Sequence, residues 1–287
     1  MVDEVRRAGL TAHLAEPAET TAAKGRKKRA KTDRTDARHL RDLVIQDRLP
    51  ESWIPPEHIL ELRSLVRLRK ALVDQRSDWQ LRIHDLLFHH GQPPLEHAVR
   101  SGAARAWLGQ LDLPPAAACQ LHTAVAQIDH TQAQLTPVDR WLRVYAGPQT
   151  GCRALMDTHY GIGAVTATAI VAEFGDVRRF ANGDAMMRHT GLDITVYSSD
   201  GKRSLGRLAR QGPGVLRWAL YEAAKTACRP ASPDHDYYTA YKRRRDGRRA
   251  TLAVAPKLTR RLRHTLLGLG DDAIAPPADL PALPHAA

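Results

Sequence analysis

The chain is 287 residues long, room for about two domains, with 43% apolar but only 5% aromatic residues. Lys and Arg outnumber Asp and Glu by 43 to 31, a formal charge of +12 that points to a polyanionic partner. No window reaches the roughly 18 uninterrupted apolar residues of a membrane span, and the opening MVDEVRRAGL lacks a signal peptide's apolar stretch, so a cytoplasmic protein with no membrane partner is expected.

Residues 1–48 read as a helix end, a strand and a helix. Leu10, Ala12 and Leu14 alternate with Thr11 and His13, a period-two strand signal closed by Pro17. A basic loop with Lys27, Lys28 and Lys31 follows, and then a helix in which Ala37, Leu40, Leu43 and Val44 recur at helical spacing. Asp33 and Asp36, three positions apart at its start, share a face and could hold a divalent cation between oxygen ligands. The alternative is structural: Asp33 caps the helix and Asp36 sits in the favourable first turn.

PESWIPPEHI is a proline-rich boundary. Beyond it, Leu62, Leu65, Val66, Leu72 and Val73 form an apolar stripe on a charged helix. After HHGQPP, Ile128, Leu135, Val138, Leu142 and Tyr145 recur at near-heptad spacing. The stripes suit a helical hairpin or coiled coil, or helices packed on their own domain. The expected domains are 1–75, 76–150 and 151–270, followed by a disordered tail over 271–287.

In the third region GIGAVTATAIVAEFGD and VLRWALYEAAKTA read as helices, joined through the glycine-punctuated loop TVYSSDGKRSLGRLARQGPG. Gly161 and Gly163 could let backbone amides reach a phosphate at a helix N-terminus, or could simply form a tight turn. Residues 202–263 carry 17 basic and 4 acidic side chains, a local +13, so the rest of the chain is close to neutral. Lys202, Arg203, Arg207, Arg210 and Arg217 are the candidate nucleic-acid contacts there. Ser199, in SSDGK, reads as a turn residue on its own, with no triad or GxSxG elbow beside it. The three cysteines are odd in number and widely spaced, and the 14 histidines are scattered; neither pattern offers metal-site spacing.

The ordered runs KTDRTDARHL, RLPESWIPP, HYGIGAVTATAIVAEFGDVRRF, RHTGLDITVYSSDGKRS and LARQGPGVLRWALYEAAK together resemble the DEDD-type insertion-sequence transposases of the one-ten family. The likeness runs from about residue 8 to residue 270. It implies an α/β remnant of a RuvC-like (RNase H-like) domain, a helical linker or coiled coil, and a mostly α-helical C-terminal transposase domain. It implies Asp33 and Asp36 as Mg²⁺ ligands in the motif shared with Lys31, Thr32 and Ala37. Ser199, in register after Thr190-Gly191-Leu192, becomes the nucleophile that attacks a DNA phosphodiester. DNA, a guide RNA and a dimeric or tetrameric assembly are the implied partners.

The sequence also departs from that pattern. The family's first aspartate and its glutamate precede the strand at 10–14, and Glu4 is too close to Asp33 to be the glutamate, so an N-terminally shortened transposase with little strand-exchange activity is expected. Gln211-Gly212-Pro213 stands where many relatives have Gly-Asn, and Pro256 is expected to kink its helix. Two rivals remain: a catalytically inactive nucleic-acid-binding remnant, and a structural helical protein whose basic residues are a solvated face.

Overall fold

The computed structural model describes residues 2–24, 32–199, 202–209 and 211–279. They form two compact units, residues 1–56 and 57–287.

The N-terminal unit holds helices α1 (Val2–Arg7), α2 (Pro17–Ala23) and α3 (Asp33–Ile45). The strand expected at 10–14 is an extended segment that makes a single antiparallel bridge, Ala15 with Glu51. Glu16 N–H donates to the Pro50 carbonyl at 2.8 Å and Ser52 N–H to the Leu14 carbonyl at 2.7 Å. Alternation was the right signal for an extended backbone, but a strand needs a neighbour along its length, and among the described residues only 50–52 meet it. The helix after it begins at Pro17, which a first helical turn tolerates because its missing N–H would be unpaired there anyway. Among the described residues the unit therefore lacks a sheet, and the expected RuvC-like α/β layer is not seen. Leu10 and Ile45 stay 63% and 74% exposed, and among the described residues of the unit Leu43 is buried.

The C-terminal unit is helical: α4 (Glu57–His89), α5 (Gly102–Leu108), α6 (Pro115–Ala146), α7 (Thr150–Thr158), α8 (Ala164–Phe174), α9 (Gly183–Thr190), α10 (Gly214–Ala227), α11 (His235–Lys242) and α12 (Gly247–Leu269). Its sheet is one hairpin, β1 (Ile194–Ser199) and β2 (Lys202–Leu208). That hairpin replaces the loop expected between the two apolar helices.

Helices α4 and α6 form a long antiparallel hairpin. Arg69 Nε meets Asp139 Oδ1 at 2.5 Å, and Arg76 Nη1 meets Gln132 Oε1 at 2.6 Å, so residue numbers rise on one helix as they fall on the other. Its far end has its own core, where Ile83, Leu87, Leu121 and Ile128 close under α5 with Val99 and Leu108. Its near end does something else: Leu62, Val66, Val138, Leu142 and Tyr145 join the core of α7, α8, α10 and α12. Helix α4 runs unbroken through residue 75, so the compact division falls at the Pro55-Pro56 boundary instead.

α12 continues through Pro256 without a break in the helix, although Pro256 has no N–H to donate to the preceding turn. The segment after it, where disorder is expected from residue 271, is tied down at its start. A 3₁₀ turn, Gly270–Ala273, buries Ala273. Gln149 Nε2 then donates to the carbonyls of Ala273 and Ala275, and His58 Nε2 meets that of Ile274 at 2.8 Å. Among the described residues no helix is long and apolar enough to cross a membrane.

Candidate nucleic-acid and strand-cleavage site

In the N-terminal unit, α3 opens with a reciprocal cap. Thr32 Oγ1 accepts the Thr35 N–H, and Thr35 Oγ1 accepts the Thr32 N–H, each at 3.3 Å. Thr32 rather than Asp33 is therefore the cap, which leaves Asp33 and Asp36 both in the first turn, where the helix dipole favours anions. Asp33 is exposed, and Asp36 is half-buried and paired with the Lys24 ammonium. Among the described residues no group of three His, Cys, Asp or Glu converges to hold a metal. Two carboxylates nevertheless suit Mg²⁺, a hard cation that often keeps several waters and takes one or two carboxylates from protein. Lys27, Lys28 and Lys31 lie outside the described residues.

In the C-terminal unit the candidate nucleophile lies on the hairpin. β1 and β2 pair antiparallel with Ser199 opposite Lys202, Ser198 opposite Arg203 and Tyr197 opposite Ser204. Ser199 ends its strand, and Asp200-Gly201 intervenes before β2, a dipeptide suited to a two-residue hairpin. A bulge between Ile194 and Val196 separates the tip from the root. Arg207 lies on β2, and Arg210 is outside the described residues.

The root of this hairpin is fixed by a chain of polar contacts that starts at the C-terminus of α8. The last carbonyls of a helix have no partner within it. Here, arginines supply the donors. Arg63 Nε reaches the Ala172 carbonyl at 2.6 Å and its Nη2 that of Glu173 at 3.1 Å; Arg179 donates twice to that of Phe174. The Glu173 side chain is only 1% exposed and receives Arg67 bidentately, at 2.8 and 2.9 Å. Burial pulls Arg179 down to about 10, with the neighbouring Arg63 adding to the effect.

His189, on α9, completes this cluster. Its Nε2 lies 3.2 Å from an Arg179 nitrogen and its ring also bonds the Glu173 backbone, which assigns a neutral imidazole with the proton on Nδ1. Burial, then Arg179 and Arg63, hold its pKa down at about 4. One residue on, Thr190 Oγ1 donates to the Met187 carbonyl and accepts the Leu192 N–H. Gly191 ends α9 in the left-handed region, and Ala209 N–H closes the hairpin onto the Asp193 carbonyl at 2.9 Å.

Arg217 belongs to this scaffold. Its Nη1 donates to the Gly212 carbonyl at 3.2 Å and lies 3.5 Å from that of Thr190. Gly212 is required by close approach, since a Cβ there would sit 2.2 Å from the His189 carbonyl oxygen. The two turn glycines between α7 and α8 also divide. Gly161 has φ +87° and would drive a Cβ to 2.6 Å from Thr226 Cβ, so it is a packing position against α10. Gly163, at the N-cap of α8, faces open space. Cys152 is fully buried, and burial pushes its thiol up to about 12, which removes it as a nucleophile.

A dense run of cations in the sequence, six in the eight residues from Lys242 to Arg249, forms the elbow joining α11 to α12. Lys242 and Arg243, Arg244, Arg245, Arg248 and Arg249 are all exposed there. The cation run is legible in the sequence; the tyrosines that precede it in YYTAYKRRRDGRR are the part of the signal that charge alone leaves out.

Comparisons with known proteins come down on both units. Residues 3–90 match the DEDD transposase model of the IS110 group, described as "Transposase", and residues 153–239 match a model described as "Transposase IS116/IS110/IS902 family". The chain is 26% identical over 165 residues to the "Transposase for insertion sequence element IS1328" of Yersinia enterocolitica, covering 57% of this chain and 49% of that protein. It is 25% identical over 103 residues to a "Probable family 20 transposase" of Pseudomonas aeruginosa, covering 36% of this chain and 30% of that protein. The matched segments thus span less than half the length of either curated relative. Segments in both units are thus similar to transposase models of the IS110 group.

Proposed function

We propose that this chain acts in insertion-sequence transposition, binding DNA through its C-terminal unit and cutting a strand with Ser199. The observation that carries the reading is the ordered pair of transposase matches, with Ser199 inside the second of them and Asp33 and Asp36 inside the first. In this mechanism the Ser199 hydroxyl oxygen attacks a backbone phosphorus. The new Oγ–P bond forms as one P–O bond to a sugar breaks, the serine proton leaves and the departing oxygen becomes a sugar hydroxyl. A hydroxyl of another strand then attacks the phosphoserine and releases Ser199, which completes exchange without net hydrolysis.

The arginine cluster under α8 serves this chemistry by fixing the hairpin root, because small displacements of a nucleophile can cost on the order of 100-fold in rate. Asp33 and Asp36 are the proposed Mg²⁺ ligands; the cation would neutralise charge developing on the phosphate. A structured RNA that selects the target and a dimeric or tetrameric assembly belong to the same proposal. Its test is strand cleavage of DNA carrying the element's ends, with Mg²⁺ and the element-derived RNA present. Cleavage abolished by Ser199→Ala supports the reading; cleavage untouched by that change refutes it. A non-catalytic nucleic-acid binder is the second reading, favoured by the presence of only two candidate carboxylate ligands among the described residues.

A further inference from the structure

Several arginines of the C-terminal unit are already occupied. Arg67, Arg69, Arg105, Arg178 and Arg261 each reach a carboxylate within the unit. The elbow between α11 and α12 differs from other exposed stretches of the unit in how closely its unpaired cations follow one another. Among the described residues Arg243, Arg244, Arg245 and Arg248 have no carboxylate partner, and Asp246 is committed elsewhere: it caps α12 by accepting the Arg249 N–H at 2.9 Å and pairs with the Arg249 side chain at 3.3 Å.

One of these charges sits against the fold's own electrostatics. Arg243 sits at the C-cap of α11, where a cation is favourable. Arg248 lies in the first turn of α12, which contains no acidic residue, and there a cation meets the positive end of the helix dipole. A cluster whose members repel one another, with Arg248 also facing its own helix dipole, suits a polyanion that relieves the repulsion.

The elbow is also braced. Tyr237 and Tyr238 pack against the core; Lys257 Nζ stands 3.5 Å over the Tyr237 ring, and Lys242 Nζ stands 5.7 Å over that of Tyr238. The backbone of the bend is satisfied internally, with Arg243 N–H on the Thr239 carbonyl and Arg244 N–H on that of Tyr241. A rigid bend presenting exposed guanidiniums binds phosphates with little ordering cost, and guanidinium matches phosphate oxygens bidentately.

We propose that this elbow, residues 241–249, is the phosphate clamp that holds duplex DNA on the C-terminal unit. The choice of DNA rests on the transposition reading; the clamp itself rests on the unpaired charge. Guanidiniums on backbone phosphates read no sequence, so the clamp sets affinity and register while other residues choose the site.

The experiment compares the full chain with the variant Arg243→Gln/Arg244→Gln/Arg245→Gln/Arg248→Gln on a fluorescent DNA duplex over a salt series. A control of equal net charge carries Arg82→Gln/Arg100→Gln/Arg140→Gln/Arg143→Gln on the exposed sides of α4 and α6 and the loop between them. Four lost phosphate contacts should make the slope of log Kd against log salt shallower by roughly three to four, and the control should leave it in place. Arg248→Gln alone should lower the slope by about one, with a melting temperature equal to or above that of the parent. Equal losses in the elbow variant and the control would overturn the clamp, leaving only bulk charge. A variant that loses a structured RNA but keeps duplex DNA would overturn the choice of partner. If the parent chain binds no DNA at all, the transposition reading fails first, and the elbow variant is then indistinguishable from it.

Discussion

Glu173 and Arg67 make an asymmetric pair, and the asymmetry gives a quantitative prediction. The Glu173 carboxylate is 1% exposed, whereas the Arg67 side chain remains 55% exposed. Arg67→Met therefore strands a buried carboxylate that has lost a two-pronged partner, at a cost of about 3–5 kcal/mol. Glu173→Gln keeps the shape and one acceptor for Arg67, whose guanidinium can rehydrate, so it should cost only about 1–2 kcal/mol. The double change Arg67→Met/Glu173→Leu removes both charges and should recover most of the loss. Urea unfolding of the residue 57–287 unit, followed by tryptophan fluorescence, measures the three differences at unchanged slope. A double variant as unstable as Arg67→Met, or a Glu173→Gln loss exceeding that of Arg67→Met, would refute the burial argument. It would also weaken the account of how the hairpin root is held.

Three further outcomes follow from the same geometry. His189, near pKa 4 when folded against about 6.5 when unfolded, stays neutral as the unfolded state takes up a proton, so stability should fall by about 2.5 kcal/mol between pH 6.5 and 4; His189→Gln should flatten that part of the urea-midpoint profile, and an unchanged profile would contradict the neutral assignment. A fragment of residues 57–279 should fold, whereas residues 151–279 should not fold cooperatively, because Leu62, Val66, Val138, Leu142 and Tyr145 complete that core; a sharp unfolding transition for the shorter piece would count against this. Gly161→Ala should cost about 2–3 kcal/mol through its backbone angle and its collision with Thr226, while Gly163→Ala should shift stability by less than about 0.5 kcal/mol; equal melting temperatures would show that the two glycines are not distinguished by packing.

The apolar stripes were readable because helical burial repeats every three to four residues: Leu62 and Val66, or Leu135, Val138 and Leu142, need nothing distant to reveal them. Sharing of a core is different. Nothing in the sequence of α4 says that its first two turns pack with α8 while its last two pack under α5. The hairpin was missed because its apolar residues are few and β2 carries a glycine among polar and basic residues, although Asp200-Gly201 between two extended runs was a usable turn signal. At 10–14 alternation was present, but a strand also requires a partner that pattern alone cannot supply. Among candidate site residues, Arg217 was counted by its charge, whereas its carbonyl partners, Gly212 and Thr190, are brought to it only by the fold. Glu173 and His189 looked ordinary in sequence, since burial is what gives each its role.

The central claim, that Ser199 is the strand-cleaving nucleophile, is tested most directly by mapping a covalent adduct. The chain, in excess over labelled DNA with Mg²⁺ and the element's RNA, is quenched in denaturant, digested and sequenced by mass spectrometry. Two carboxylates alone, one of them paired with Lys24, would hold a cation loosely, so the adduct should form slowly, but as a phosphoserine at Ser199, and it should vanish in Ser199→Ala while Ser198→Ala retains it. An adduct on Ser198, or one that survives Ser199→Ala, would contradict the assignment; tight DNA binding with no adduct at any residue would leave the non-catalytic reading in its place.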